Sequence, residues 1–309
     1  MAISPKRARE AYKDVLRWGL DGAAMTWGKK AETMERYVRI ATQSAADEKL
    51  EAYKRNSCQR DENDYHTPWA DAKKNDEGPV QVFSDPHAPY HHPQAIEFLK
   101  WVSKEKGCRK RIVCAGDMAD FHSMSRHVHE TDASSPAKEY EKLLAFTAEL
   151  CEAFPEGDLV LGNHDLIPQR QMKEIGLLSS MLKNSHELYG ISEGWTINPL
   201  YHVIDPDGWD VLVEHGVGSG GKYGCANTSK EKSCSFVQGH IHSAAAVIFR
   251  TTHSGTTFGM NTGCLVDSNS LAMRYGKYGT RKGVLGCGVV YSGEHAEFVP
   301  MSSWPDFKG

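Results

Sequence analysis

Three short apolar runs, Val80-Gln81-Val82-Phe83, Arg111-Ile112-Val113-Cys114 and Leu159-Val160-Leu161, punctuate the middle of the chain. Each is too short for a helix and is bounded by polar turn residues, which predicts buried strands. The stretches between them carry helical spacing over 93–106 and 136–154, each opened by a proline, where a missing N–H is harmless. A third helix is predicted over 168–183. Strand, helix and strand in repetition predict a parallel sheet covered by helices. Beyond residue 195 the apolar runs follow one another closely, at 201–204, 209–213, 236–238, 244–249, 256–260, 289–291 and 297–299, which predicts hairpins in a second sheet. The fold class expected is therefore α/β, a two-sheet sandwich flanked by helices.

The first residues read differently. Ser4-Pro5 is a helix start, and Ala8, Tyr12, Val15, Leu16 and Leu20 share one helical face, predicting a helix to about Leu20. Asp21-Gly22 then breaks the pattern before a short apolar piece, a turn at Gly28 and a second helix over 30–42 with Met34, Val38 and Ala41 inward. Two helices about a glycine turn resemble a helix-turn-helix, in which Lys30, Thr33, Arg36 and Arg39 would face DNA. The alternative is a helical hairpin that packs on the main domain or on another subunit. Residues 44–79 are polar and lack apolar periodicity, so the division expected is a helical module over 1–55, a linker over 56–78 and a main domain over 79–309.

Composition narrows the class. At 309 residues, 40% hydrophobic and 25% charged, the chain has the balance of a globular protein of about two domains. No apolar run reaches membrane-spanning length and the amino terminus lacks a signal-like apolar stretch, so no membrane partner and a cytoplasmic location are expected. Eight cysteines with no C-x-x-C pair read as reduced thiols. The formal charge of −4 divides into +4 on residues 1–55, with 12 Lys/Arg against 8 Asp/Glu, and −8 on the remainder, so a polyanion would meet the first segment.

The chemistry sits at the ends of the predicted strands. The first three end in Asp85-Pro86-His87, Gly116-Asp117-Met118-Ala119-Asp120 and Gly162-Asn163-His164-Asp165. Two later ones end in Glu214-His215-Gly216 and Gly239-His240-Ile241-His242. Any one of these is an ordinary turn. Five in order, at the carboxyl edge where open α/β sheets build their sites, make a constellation.

In that order D-x-H, G-D-x-x-D, G-N-H-D, H-G and G-H-x-H resemble the calcineurin-like metallophosphoesterase superfamily over residues 80–299. The G-N-H-D followed by Arg170, and the later H-G-x-G-S-G-G-K, are similar to bacteriophage-type phosphoesterases, some of which carry an N-terminal helix-turn-helix; the location would then be the host cytoplasm. The resemblance implies two divalent ions, with Mn first among Mn, Fe, Zn, Ni and Mg. Such ions about 3.5–4 Å apart neutralise a phosphate ester and activate water. It implies Asp117 as the carboxylate between them, Asp85, His87 and His242 around one, and Asn163, His215 and His240 around the other. His164 would hand a proton to the leaving oxygen, with Asp165 orienting it, and Asp120 would support a ligand imidazole from outside.

Substrate preference follows from a departure. Protein phosphatases of the superfamily carry an arginine after G-D-x-x-D and use G-N-H-E, whereas this chain has Phe121 and Asp165. One fewer arginine fork suits a singly charged diester, so a phosphodiesterase acting on nucleic acid or nucleotides is expected. His91, His122, Arg126, Arg170 and Lys222 are candidate substrate contacts. A phosphomonoesterase or protein phosphatase is the alternative activity, and a DNA-binding scaffold with a vestigial fold is the alternative class; a homo-oligomer is left open. Gly216–Gly224 does not complete a G-x-x-x-x-G-K-[S/T] phosphate loop, because Lys222 is followed by Tyr223.

Overall fold

Alternation along the strands decides what each sheet face meets. The computed structural model describes residues 5–39, 73–76, 78–108, 111–125, 135–178, 181–253, 255–267, 270 and 283–308. The strands are β1 (Lys73–Asn75), β2 (Val80–Phe83), β3 (Arg111–Cys114), β4 (Glu156–Val160), β5 (Trp195–Asn198), β6 (Tyr201–Asp205), β7 (Val211–Glu214), β8 (Ser235–Gln238), β9 (Ala245–Thr252), β10 (Gly255–Thr262), β11 (Gly286–Ser292) and β12 (His295–Pro300). They form two six-stranded sheets, in the orders β12-β11-β2-β3-β4-β5 and β1-β6-β7-β8-β10-β9.

In β2, Val80 and Val82 face the opposite sheet while Phe83 faces helices, as period-two geometry requires. The same alternation puts Val113, Val160, Val211, Val213 and Val237 into one core between the sheets. It puts Ile112, Cys114 and Leu159 under the helices Ala95–Glu105 and Pro136–Ala153. On the far side Val203, Leu212 and Phe236 pack with Cys225 of the helix Gly224–Lys232. The architecture is the expected mixed α/β sandwich of two sheets flanked by helices. Each fully buried valine or leucine contributes about 1.5–3 kcal/mol, so this layering is the main source of cohesion.

Sheet topology fixes where the strand ends lie. β2, β3, β4 and β5 are parallel, and so are β7 and β8. The second sheet is therefore not purely hairpins: β6/β7 and β9/β10 are antiparallel, but β7/β8 and β8/β10 run parallel, the first through the helix Gly224–Lys232. The helix expected over 168–183 runs only Ile167–Glu174, because Gly176 takes a left-handed φ of +75° and Leu177 N–H caps back to Met172 O at 2.9 Å. β5 and the helices Ser185–Tyr189 and Gly224–Lys232 carried no clear apolar signature. Within the stretch expected as linker, Lys73–Asn75 is a strand paired with β6.

The chain divides into two compact units, Met1–Asp64 and Tyr65–Gly309. In the first, Asp21-Gly22 does not interrupt the helix, which runs continuously Pro5–Trp27. Glycine costs a helix about 1 kcal/mol, and packing overrides it: Ala23 and Ala24 are buried with Met34 and Tyr37. Trp27 Nε1 also donates to Asp14 Oδ2 at 2.8 Å. Gly28, φ +58°, makes the turn, and residues 31–39 are helical. Lys30, Arg36 and Arg39 are exposed, whereas Thr33 is half-buried. No helix among the described residues is long and apolar enough to cross a membrane, and the seven described cysteines are free thiols.

Candidate metal centre

Five loops leave the carboxyl ends of β2, β3, β4, β7 and β8 and bring their polar side chains to one place. Asp85 and His87 follow β2. His242 Nε2 lies 2.9 Å from Asp85 Oδ1 and 3.2 Å from His87 Nε2. Asp117 follows β3 and points its two oxygens differently. Oδ1 accepts the His164 N–H at 2.8 Å, while Oδ2 lies 3.1 Å from His215 Nε2 and 3.7 Å from His87 Nε2. Asn163 Oδ1 is 3.0 Å from His215 Nε2, and the His215 and His240 rings are 5.0 Å apart. The donor atoms of Asp85, His87 and His242 all lie within 4.8 Å of one another, as do those of Asp117, His215 and His240. Asp117 Oδ2 stands between the two groups.

The backbone is shaped for this convergence. Asp85, His87, Asp117 and His240 adopt left-handed φ of +54°, +48°, +51° and +67°. Such corners cost roughly 1–3 kcal/mol each and persist where surrounding structure over-determines them. Glycines admit the side chains: a Cβ on Gly116 would come 2.5 Å from His215 Nδ1, and one on Gly239 would come 2.5 Å from Asp85 Oδ2. The sequence pairs G-D and G-H therefore reflect close approach by a neighbouring loop's side chain.

Residues 78–269 match the calcineurin-like phosphoesterase family. The chain belongs to that family. A calcineurin-like phosphoesterase is a metal-dependent phosphoester hydrolase that typically holds two divalent ions, and the His/Asp groups above are the candidate places for them. No curated protein matches the chain by sequence. Among solved structures, the crystal structure of TT1561 of Thermus thermophilus aligns at 10% identity and a TM-score of 0.34, over 72% of this chain and 99% of that one.

The donor set fits the pair of cations that calcineurin-like phosphoesterases hold. The carbonyl of Ala115 only accepts, so at 2.8 Å it requires the proton of His215 on Nδ1 and leaves Nε2 bare toward Asp117. Asp120 Oδ1, 2.6 Å from His87 Nδ1, does the same for that ring. This is the arrangement by which outer groups orient metal-binding imidazoles. Lone pairs thus face lone pairs at the centre, and the missing partner is positive. Without a cation His87 and His215, both shifted toward the charged form by the surrounding carboxylates, supply it as protons. Burial opposes the charged ring of His215, but Asp117 outweighs it and raises that pKa to about 9. Burial likewise raises Asp117, and His215 and His87 outweigh it, bringing that carboxyl to about 2.

His164 sits at the rim, its side chain one-quarter exposed. Its Nδ1 lies 2.9 Å from the Asp120 carbonyl and 3.2 Å from Asp120 Oδ1. Burial lowers the ring's pKa, but the Asp120 bond outweighs it and the net shift is upward. The orienting carboxylate is therefore Asp120, which serves both His87 and His164. Asp165 is corrected from that role: its oxygens accept from Ala119 N–H and Gly162 N–H, both at 2.8 Å, so it ties the third loop to the second. Burial and the Asp117 charge push its carboxyl up to about 6 despite those amides.

The expected substrate contacts divide. Arg170 Nη2 donates to the Asn163 carbonyl at 2.6 Å, which anchors a guanidinium beside the centre. His91 stacks on Phe146 with ring centres 4.0 Å apart, and burial drives its pKa down to about 4, so it is a neutral packing residue. His122 is 2% exposed beneath Tyr90, too buried to meet a substrate. Lys222 lies over its neighbour Tyr223. Arg126 falls outside the described residues.

Proposed function

We propose that this phosphoesterase is a phosphodiesterase acting on nucleic-acid or nucleotide diesters. In this reading Asp85, His87 and His242 hold one divalent ion, Asn163, His215 and His240 hold the other, and Asp117 lies between, with Mn2+ the first metal to try among Mn, Fe, Zn, Ni and Mg. When bound, the ions supply positive charge against the phosphate and activation of water. His164, held through Nδ1 by Asp120, has Nε2 left to give a proton to the leaving oxygen. Arg170 reaches the phosphate edge from its anchor on Asn163.

The observation that carries the diester preference is Phe121. The position directly after Asp120 is filled by a buried apolar ring, 6.4 Å from Tyr189, and contributes no charge. A dianionic monoester wants bidentate cationic forks, and with no arginine directly after Asp120 the anchored Arg170 suits a monoanion better. The test is hydrolysis by the Mn2+-loaded protein of bis-(p-nitrophenyl) phosphate against p-nitrophenyl phosphate. Higher kcat/KM for the diester is expected. The reverse ratio sinks the preference, and a folded protein inert with every divalent metal sinks the activity.

A further inference from the structure

Gly239-His240-Ile241-His242 must send two imidazoles only two residues apart into different groups. On an extended strand such residues face the same side. The loop separates them by reversing inside the motif: His240 is left-handed, and Ile241 N–H donates to Gly239 O at 2.8 Å. So tight a turn leaves backbone carbonyls needing partners off the sheet ladder. One side chain from another strand takes two of them. Asn261 of β10 is 3% exposed, and its Nδ2 donates to Ala244 O at 2.6 Å and to Ile241 O at 3.3 Å. Two carbonyls accept only from an NH2, so the chemistry fixes which way this amide faces. The next residue continues the brace: Thr262 Oγ1 donates to Gln238 O at 3.2 Å and lies 2.7 Å from Ser84 Oγ, one residue before Asp85.

We propose that Asn261 is a positioning residue for the metal centre, its amide clamping the reversal that aims His242 at Asp85 and His87 and His240 at Asp117 and His215. The inference rests on the metal reading of that centre. Without the clamp the loop is free to flatten, and one of the two groups loses its histidine.

Asn261→Asp keeps the volume and puts an oxygen against both carbonyls; Asn261→Ser removes the same donors without adding charge and carries the readout if the first variant does not fold. Chelator-stripped full-length protein is titrated with Mn2+ by calorimetry, with metal analysis and electron paramagnetic resonance of the spin-coupled pair. The expected result is a roughly 10–100-fold loss of affinity in at least one site, the scale of losing an outer orienting group. The coupled signal weakens with it, while circular dichroism of the metal-free protein is retained. Two ions bound by the variants with wild-type affinity and spectrum overturn the proposal, even if the melting temperature falls. A wild-type protein that binds no ion overturns the reading of the centre, and the inference with it.

Discussion

Between the two sheets, Arg111 is surrounded by Asp158, Asp76 and His202: its Nε lies 2.6 Å from Asp158 Oδ2, its Nη2 2.9 Å from His202 Nε2, and its Nη1 meets Asp76. At the strand ends, Asp85, Asp117 and Asp120 are equally buried, yet the ion pairs found for them among the described residues are with histidines. Both regions take carboxylates and imidazoles out of water, which is costly unless the charge is met. The first meets it with a guanidinium that never loses its proton. The second leaves it to groups that can exchange a proton for a metal. The same residue types make a fixed strut where the cation is covalently part of the chain, and a receptive site where it is not.

The contrast is open to attack by experiment, from the largest effect on turnover to the smallest. Stripping metal with a chelator is expected to abolish hydrolysis and added Mn2+ to restore it. In Asp117→Asn, metal analysis should show fewer than two ions, and the rate should fall by more than the roughly 10–100-fold typical of an outer partner; a variant that keeps both ions and its rate breaks the comparison. His164→Ala is expected to lower kcat by about 10²–10⁴-fold with metal content unchanged, since the proposed mechanism has it give a proton rather than hold an ion. Gly239→Ala, which drives a methyl toward Asp85, should weaken Mn2+ affinity in a titration, and an unchanged isotherm would remove the close-approach account of that glycine.

On the other side of the contrast, Arg111→Met and Asp158→Asn should leave metal content and kcat per folded molecule alone. Their effect is expected in denaturant unfolding, as a loss of about 3–5 kcal/mol from breaking one partner of a buried pair. Loss of metal in Asp158→Asn would show that the two regions are not independent.

Much of the candidate site is readable because Asp117, Asn163, His215 and His240 each sit beside a glycine at the ends of short apolar runs. Val80–Phe83 and Arg111–Cys114 are strands as their pattern predicts, and Pro136–Ala153 starts with Ser135 Oγ accepting the Lys138 N–H at 3.4 Å. What spacing did not reveal depends on residues distant in sequence. The family resemblance implies Asp165 as the orienting partner of His164, yet the turn after Asn163 aims it at Ala119 and Gly162 while Asp120 reaches both imidazoles. His91 and His122 carry the right side chain for a substrate contact, and only the structure shows that His91 is half-buried against Phe146 and His122 is buried beside Tyr90. Asn261 offered no local signal, since its partners lie 17 and 20 residues away. The continuous helix through Gly22 shows the same limit from another direction: a local breaker yields when neighbouring alanines find a partner.

The left-handed corners under Asp85, His87, Asp117 and His240 have an evolutionary reading. That backbone shape favours asparagine, aspartate and histidine over bulkier or branched residues. Steric preference and coordination chemistry thus recommend nearly the same alphabet, and drift there is channelled. Asparagine in place of aspartate at such a corner would preserve the contour of the loop while surrendering its charge.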